Sequence, residues 1–214
     1  RSHRCRCRCR CRCRCHRFVS GHTWIFGYGS LVSPTSMATT IGRTVAADDV
    51  AIAHLDGYGR RWNYGSMHLR GDWHHDDVDV TGGLVVSLGL VAADTETCNG
   101  VIVRVTADEL ARLDWRERDY QRTDVTELIR FDDVQREHQL VRRRVERVMT
   151  YVPRPSAIER YEAARDRRQA GIRLSYRDLV SAAFGDLGGD HLARYEATPA
   201  PDVPVVDMTL SMLS

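Results

Sequence analysis

Apolar positions along this chain fall in short bursts whose internal spacing switches between strand-like and helix-like periods. Thr23–Tyr28 is a continuous apolar run, the pattern of a buried strand, and Gly29-Ser30 ends it. Pro34 and Thr35–Ile41 predict a turn and one short helical turn. Val45–Leu55 and Tyr58–Asn63 read as strands separated by the turn dipeptide Asp56-Gly57. Residues 66–80 are dominated by polar side chains and read as a loop, and Leu84–Val91 and Val101–Val105 as two further strands. Thr106-Ala107-Asp108-Glu109 has the form of a capping box, with Thr at the N-cap and Glu three positions on. The helix it opens places Leu110 and Leu113 on one face and ends near Glu117. Thr123–Phe131 and Gln139–Val152 predict a long hairpin joined by Asp132–His138. The arginine-rich alternation of residues 141–148 gives that hairpin a solvated face. Pro153–Ser156 then opens a helix over Ala157–Gln169. Ser175–Phe184 and Gly188–Ala197 are further helices, and Thr198-Pro199-Ala200-Pro201 leads into a short extended tail.

Composition changes this picture in two places. All 31 basic residues are arginine, which excludes a lysine Schiff-base nucleophile. Six of the seven cysteines lie in the alternating Arg-Cys run of residues 5–15, leaving Cys98 alone in the body. A single-thiol body suits a reducing cytosol, and the expected localisation is cytoplasmic. The first 17 residues hold eight arginines and no acid, so the rest carries 23 arginines against 29 acids. That acidic body argues against a nucleic-acid surface. No apolar run reaches about 18 residues, so no membrane span is expected. The organisation expected is a low-complexity extension over 1–17 and one domain over 18–214. Cys-x-Cys spacing also suits thiolate metal binding, and a basic run suits an acidic partner, but function is not read from that tail.

Two segments carry chemistry. In Phe26-Gly27-Tyr28-Gly29-Ser30-Leu31 a glycine turn lets backbone N–H groups approach an anion. In Leu113-Asp114-Trp115-Arg116-Glu117 a carboxylate follows a short amphipathic helix and can take a proton from a bound amine. The first segment resembles the glycine loop of the gamma-glutamylcyclotransferase-like family. The second, with Tyr120, resembles that family's catalytic-glutamate segment. Gly57-Tyr58-Gly59-Arg60-Arg61-Trp62 is similar to its arginine strand, and Gly100-Val101-Ile102-Val103-Arg104-Val105 to the strand before the helix. The resemblance covers roughly residues 23–152, and Ser30-Leu31 without an intervening Asn is nearer the ChaC-type, glutathione-degrading branch.

The elements read as an α+β fold with a mixed, mostly antiparallel sheet and a helical C-terminal part over 153–214, and the resemblance implies that the sheet is barrel-like with helices packed around it. It implies a cofactor-free reaction that releases 5-oxoproline from a small γ-glutamyl compound. Glu117 would be general acid and base. Tyr28, Gly29, Ser30 and Leu31 would hold the substrate, with support from Tyr120 and, of the two strand arginines, Arg61. The alternative is a non-catalytic γ-glutamyl or small-molecule binding module on the same fold. Asp72, His74, His75, Asp76, Asp77 and Asp79 read as a solvated acidic loop without ligand geometry rather than a metal site. Cys98 and Trp115 read as packing residues.

Overall fold

The computed structural model describes residues 23–131 and 145–213. Nine strands among them form one sheet. β1 (Thr23–Gly27) is followed by a 3-10 turn at Ser30–Val32 and by α1 (Pro34–Ile41). Two long strands, β2 (Val50–His75) and β3 (Val78–Val105), lead to α2 (Ala107–Arg116). Then come β4 (Tyr120–Asp124), β5 (Ile129–Arg130), β6 (Val148–Pro153) and α3 (Pro155–Asp166). β7 (Ala170–Arg173), α4 (Leu174–Asp186), α5 (His191–Glu196), β8 (Val205–Val206) and β9 (Thr209–Met212) complete the order. The main strand order is β4-β6-β1-β3-β2-β5, with β7 on β3, β8 on β7 and β9 on β2. Pairing is antiparallel except at β1–β6, β3–β7 and β7–β8.

The β2–β3 pair differs most from the sequence expectation. Asp56-Gly57 is not a turn: Asp56 pairs with Thr97 and Tyr58 with Ala92, so the chain bulges at Gly57 and continues. Gly57 sits at φ +79°, where a side chain would be strained. The reversal comes instead at Asp76-Asp77, with φ +47° and +60°, a two-residue hairpin turn that aspartate tolerates. Residues 66–80 are therefore paired strand and turn rather than loop. Gly71 and Trp73 face inward while Asp72 and His74 face out, a strand alternation concealed by the polar count. Three further register shifts lie between Arg61 and Tyr64, Gly65 and Arg70, and Gly71 and Trp73. Each bends the strand, and together they curl the sheet into a half-barrel.

The helices follow their local signals. Ser33 caps α1, its hydroxyl accepting from the Ser36 N–H, with Pro34 at the first helical position and Gly42 left-handed beyond the end. That extends the expected single turn to eight residues. The Thr106–Glu109 capping box is present in full, and Leu113 is completely buried. β4 and β6 pair as expected, but the chain between them leaves to place β5 on β2. Asp132–His138, residues 141–144 of the alternation and the Arg-Cys run lie outside the described residues. α3 ends before Gln169, because Ala170–Arg173 joins β3 as a parallel strand. The principal core lies between the sheet and α1, α3 and α4, with Trp24, Ile25, Phe26, Ile102 and Phe184 fully buried within it.

Candidate active site

The end of β1 is where the fold makes its tightest approach. A Cβ on Gly27 would stand 2.9 Å from the Leu31 Cβ and 3.1 Å from its carbonyl carbon. Glycine is therefore needed for the chain to turn from β1 into the 3-10 turn. The first N–H groups of such a turn have no partner within it. Gly29 backs onto α4, where a Cβ would meet the Tyr176 hydroxyl at 3.1 Å. Arg60, buried inside β2, donates from Nε to the Tyr28 carbonyl at 2.9 Å and from Nη2 to the Asn99 carbonyl. Its guanidinium lies 4.7 Å from the Phe184 ring centre and 5.4 Å from that of Tyr195. The loop is thus held from behind by a satisfied, stacked cation.

Ahead of the loop is a small cleft lined by Tyr28, Gly29, Ser30, Leu31, Glu117 and Tyr120 from the expected set. Phe26, Leu88, Tyr151 and Tyr176 complete its walls. Glu117 follows the last turn of α2, its N–H donating to the Leu113 carbonyl at 2.8 Å. Its own carbonyl accepts from the Tyr120 N–H at 2.8 Å, a tight turn that sends both side chains to one cleft. The Tyr28 hydroxyl donates to the Tyr151 carbonyl at 2.7 Å, and the Tyr120 hydroxyl to the Leu88 carbonyl at 3.1 Å. Each hydroxyl oxygen keeps acceptor capacity, which suits an ammonium group. A wider cleft continues from this one past Ser30, Glu117, Tyr120 and Tyr176 toward Tyr64, His68, Arg118 and Arg173.

The electrostatics separate Glu117 from its neighbours. Burial raises its carboxyl above the ordinary value near 4.5, and Arg116, whose Nε lies 2.9 Å from Oε1, offsets part of that rise. Burial also pushes Tyr28 and Tyr120 well above the usual phenol range and Tyr176 up to about 12, so these hydroxyls stay neutral. The cleft therefore presents one poised carboxyl among uncharged hydroxyls.

Arg61 does not join them. It points to the other side of β2 and pairs through Nη1 with Glu96 at 2.9 Å. Arg60 takes the inward place, and Trp62, buried on the same side of the strand, is the signal in the sequence that fixes this parity. Sequence reasoning also missed Tyr151 and Tyr176, which come from elements whose aromatic residues look like ordinary core. The Asp/His group of residues 72–79 lies along the outer hairpin, with Asp72 accepting from the Gly82 N–H at 2.7 Å and His74 against Asp79 at 2.9 Å. Among the described residues no three His, Cys, Asp or Glu side chains cluster tightly enough to hold a metal. Cys98 is buried, and Trp115, expected in the core, is 73% exposed because α2 turns it outward. No described helix is long and apolar enough to cross a membrane.

No curated protein matches the chain. Among solved structures it is similar to a gamma-glutamyl cyclotransferase, with 11% identity and a TM-score of 0.50 over 85% of this chain and 90% of that one. It is also similar to a gamma-glutamyl cyclotransferase specific to glutathione from yeast, with 12% identity and a TM-score of 0.47 over 83% and 97%. An Arabidopsis thaliana protein solved in solution has 22% identity and a TM-score of 0.39, over 65% of this chain and 64% of that one. The chain thus spans just under two thirds of that relative's length. The first likeness is one of fold: the mixed, curled sheet with helices packed on it. A family model described as ChaC-like protein matches residues 23–174, a span that takes in the glycine loop, both long strands, Glu117 and β6, and the chain accordingly belongs to the ChaC-like family.

Proposed function

We propose that this protein is a cofactor-free cyclotransferase that releases 5-oxoproline and an amine or peptide from a γ-glutamyl compound. The observation that carries this reading is the half-sequestered Glu117 carboxyl beside the glycine loop, in a cleft otherwise lined by neutral groups. A γ-glutamyl amide contains both reactants. Its α-nitrogen can reach the side-chain amide carbonyl to close a five-membered ring, so the protein has only to fold the substrate, move a proton and stabilise charge.

The residues divide that work. The N–H groups of the Gly29–Leu31 turn receive substrate oxygen, and the Tyr28 and Tyr120 oxygens receive the ammonium. Glu117 takes one proton from the α-ammonium, whose ordinary pKa of roughly 8 puts the transfer within reach of a carboxylate of raised affinity. The freed amine attacks the γ-carbonyl carbon, forming the ring C–N bond. As the tetrahedral centre collapses, the bond to the leaving nitrogen breaks and Glu117 returns the proton to it; the ring nitrogen's surplus proton then passes through Glu117 to the freed amine, which leaves as an ammonium. Electrons and protons balance without an oxidant, metal or added nucleophile. The wider cleft beyond Glu117 gives the leaving amine or peptide a route out.

The test is incubation with a panel of γ-glutamyl compounds, glutathione included, and detection of 5-oxoproline by mass spectrometry. Product that disappears with Glu117→Gln supports the reading, and the best substrate names the leaving group. Ligands that bind at the loop without turning over would replace it with the binding-module reading.

A further inference from the structure

Arg116 is the last residue of α2, and its guanidinium serves three parts of the structure at once. Nε meets the Glu117 carboxylate at 2.9 Å. Nη2 donates to the Ser30 hydroxyl at 2.8 Å and to the Ser36 hydroxyl at 3.2 Å. Nη1 donates to the Ser36 carbonyl at 3.2 Å and to the Thr40 hydroxyl. An arginine that only fastened α2 to α1 would need Ser36 and Thr40 alone. Here two of the three nitrogens also reach the candidate base and the serine of the substrate loop. A planar fork can span these positions, whereas a lysine ammonium cannot. Arg116 lines the wider cleft but not the inner one, where it acts through Glu117 and Ser30.

We propose that Arg116 is the positioning residue of this site, locking the Glu117 carboxylate and the Ser30 turn into one unit anchored on α1. The catalytic consequence rests on the cyclotransferase reading; the tie between Arg116 and Glu117 rests on geometry alone. Around Glu117 stand Tyr28 from the loop after β1, Tyr64 from β2, Tyr120 from β4, Tyr151 from β6 and Tyr176 from α4, all held neutral to alkaline pH. Arg118 and Asp119 follow in the same turn, and Asp119 is already paired with Arg160. That leaves Arg116 as the cation in direct contact with the carboxylate.

The deciding measurement is a carbon-13 NMR titration of the Glu117 carboxyl in the free protein, alongside the pH profile of kcat/KM. Arg116→Gln should move the Glu117 midpoint and the acid limb together to higher pH. Arg116→Lys, which keeps charge without the fork, should hold the midpoint near that of the parent. Both should lower kcat/KM by about 10–100-fold, the scale of a displaced catalytic group. An unmoved midpoint in Arg116→Gln, or parental turnover in Arg116→Lys, would overturn the proposal. If Arg116→Gln fails to fold, turnover of Arg116→Lys decides alone. A shifted midpoint in a protein that makes no 5-oxoproline would refute the cyclotransferase reading and leave the tie standing.

Discussion

A carboxyl group walled in by tyrosine rings loses most of the water that would stabilise its charge, and the Arg116 guanidinium restores only part of it. Because the folded pKa is raised, the folded state holds the Glu117 proton more tightly than the unfolded chain. This contribution to stability is complete below the ordinary carboxylate range and is lost as pH rises through the folded value. Glu117→Gln should therefore melt at a higher temperature than the parent at pH 7, and the two should converge in acid, as calorimetry across pH would read. The same change should lower 5-oxoproline formation by about 10²–10⁴-fold. Opposite signs for stability and turnover would mark a site whose strain serves function. At this scale the sequence was legible through the resemblance its motifs carry: the loop residues, Glu117 and Tyr120 meet in one cleft. It was less legible at Arg60 and Arg61, where neighbouring identical residues differ only in the face of the strand they occupy. Arg61→Ala should cost no more than about 1 kcal/mol, as expected of an exposed pair with Glu96, and leave turnover intact. Arg60→Met should cost about 2–4 kcal/mol in urea unfolding, since it orphans the Tyr28 and Asn99 carbonyls.

Among the elements, the paired strands β1 and β3 set the mouth of the site. A Cβ on Gly100 would lie 2.2 Å from the carbonyl oxygen of Gly27, which is backbone and cannot step aside. Gly100→Ala should therefore push the end of β1, weaken binding of a γ-glutamyl ligand and cost roughly 1–3 kcal/mol, measurable by calorimetry and unfolding. α2 was legible because its cap is local: Thr106 with Glu109 names the start, whereas the Ser33 cap that carries α1 through eight residues went unread. The long hairpin was not, because its turn is formed by Asp76-Asp77 without glycine, while the true glycine signal at Gly57 marks a bulge. Asp77→Gly should relieve the left-handed backbone there and stabilise the protein by on the order of 0.5–1 kcal/mol. β7 escaped notice for a different reason: four residues between two helices carry too short a pattern to read.

Across the whole molecule, the site draws on chain positions that only tertiary structure brings together. Tyr176 reaches the cleft from α4, and the Arg60 guanidinium rests on Phe184 of α4 and Tyr195 of α5. No local pattern in those helices announces this, so the C-terminal part reads as plain amphipathic structure until folded. It follows that the 152-residue span recognised at family level, residues 23–174, stops short of a cleft wall. The arrangement also has a history in time. β1 is sandwiched between β3 and β6, so this early strand waits for partners made much later. At about 5–20 residues per second, Tyr176 leaves the ribosome roughly 7–30 s after the glycine loop. Throughout that interval the nascent chain holds the loop without its complete cleft.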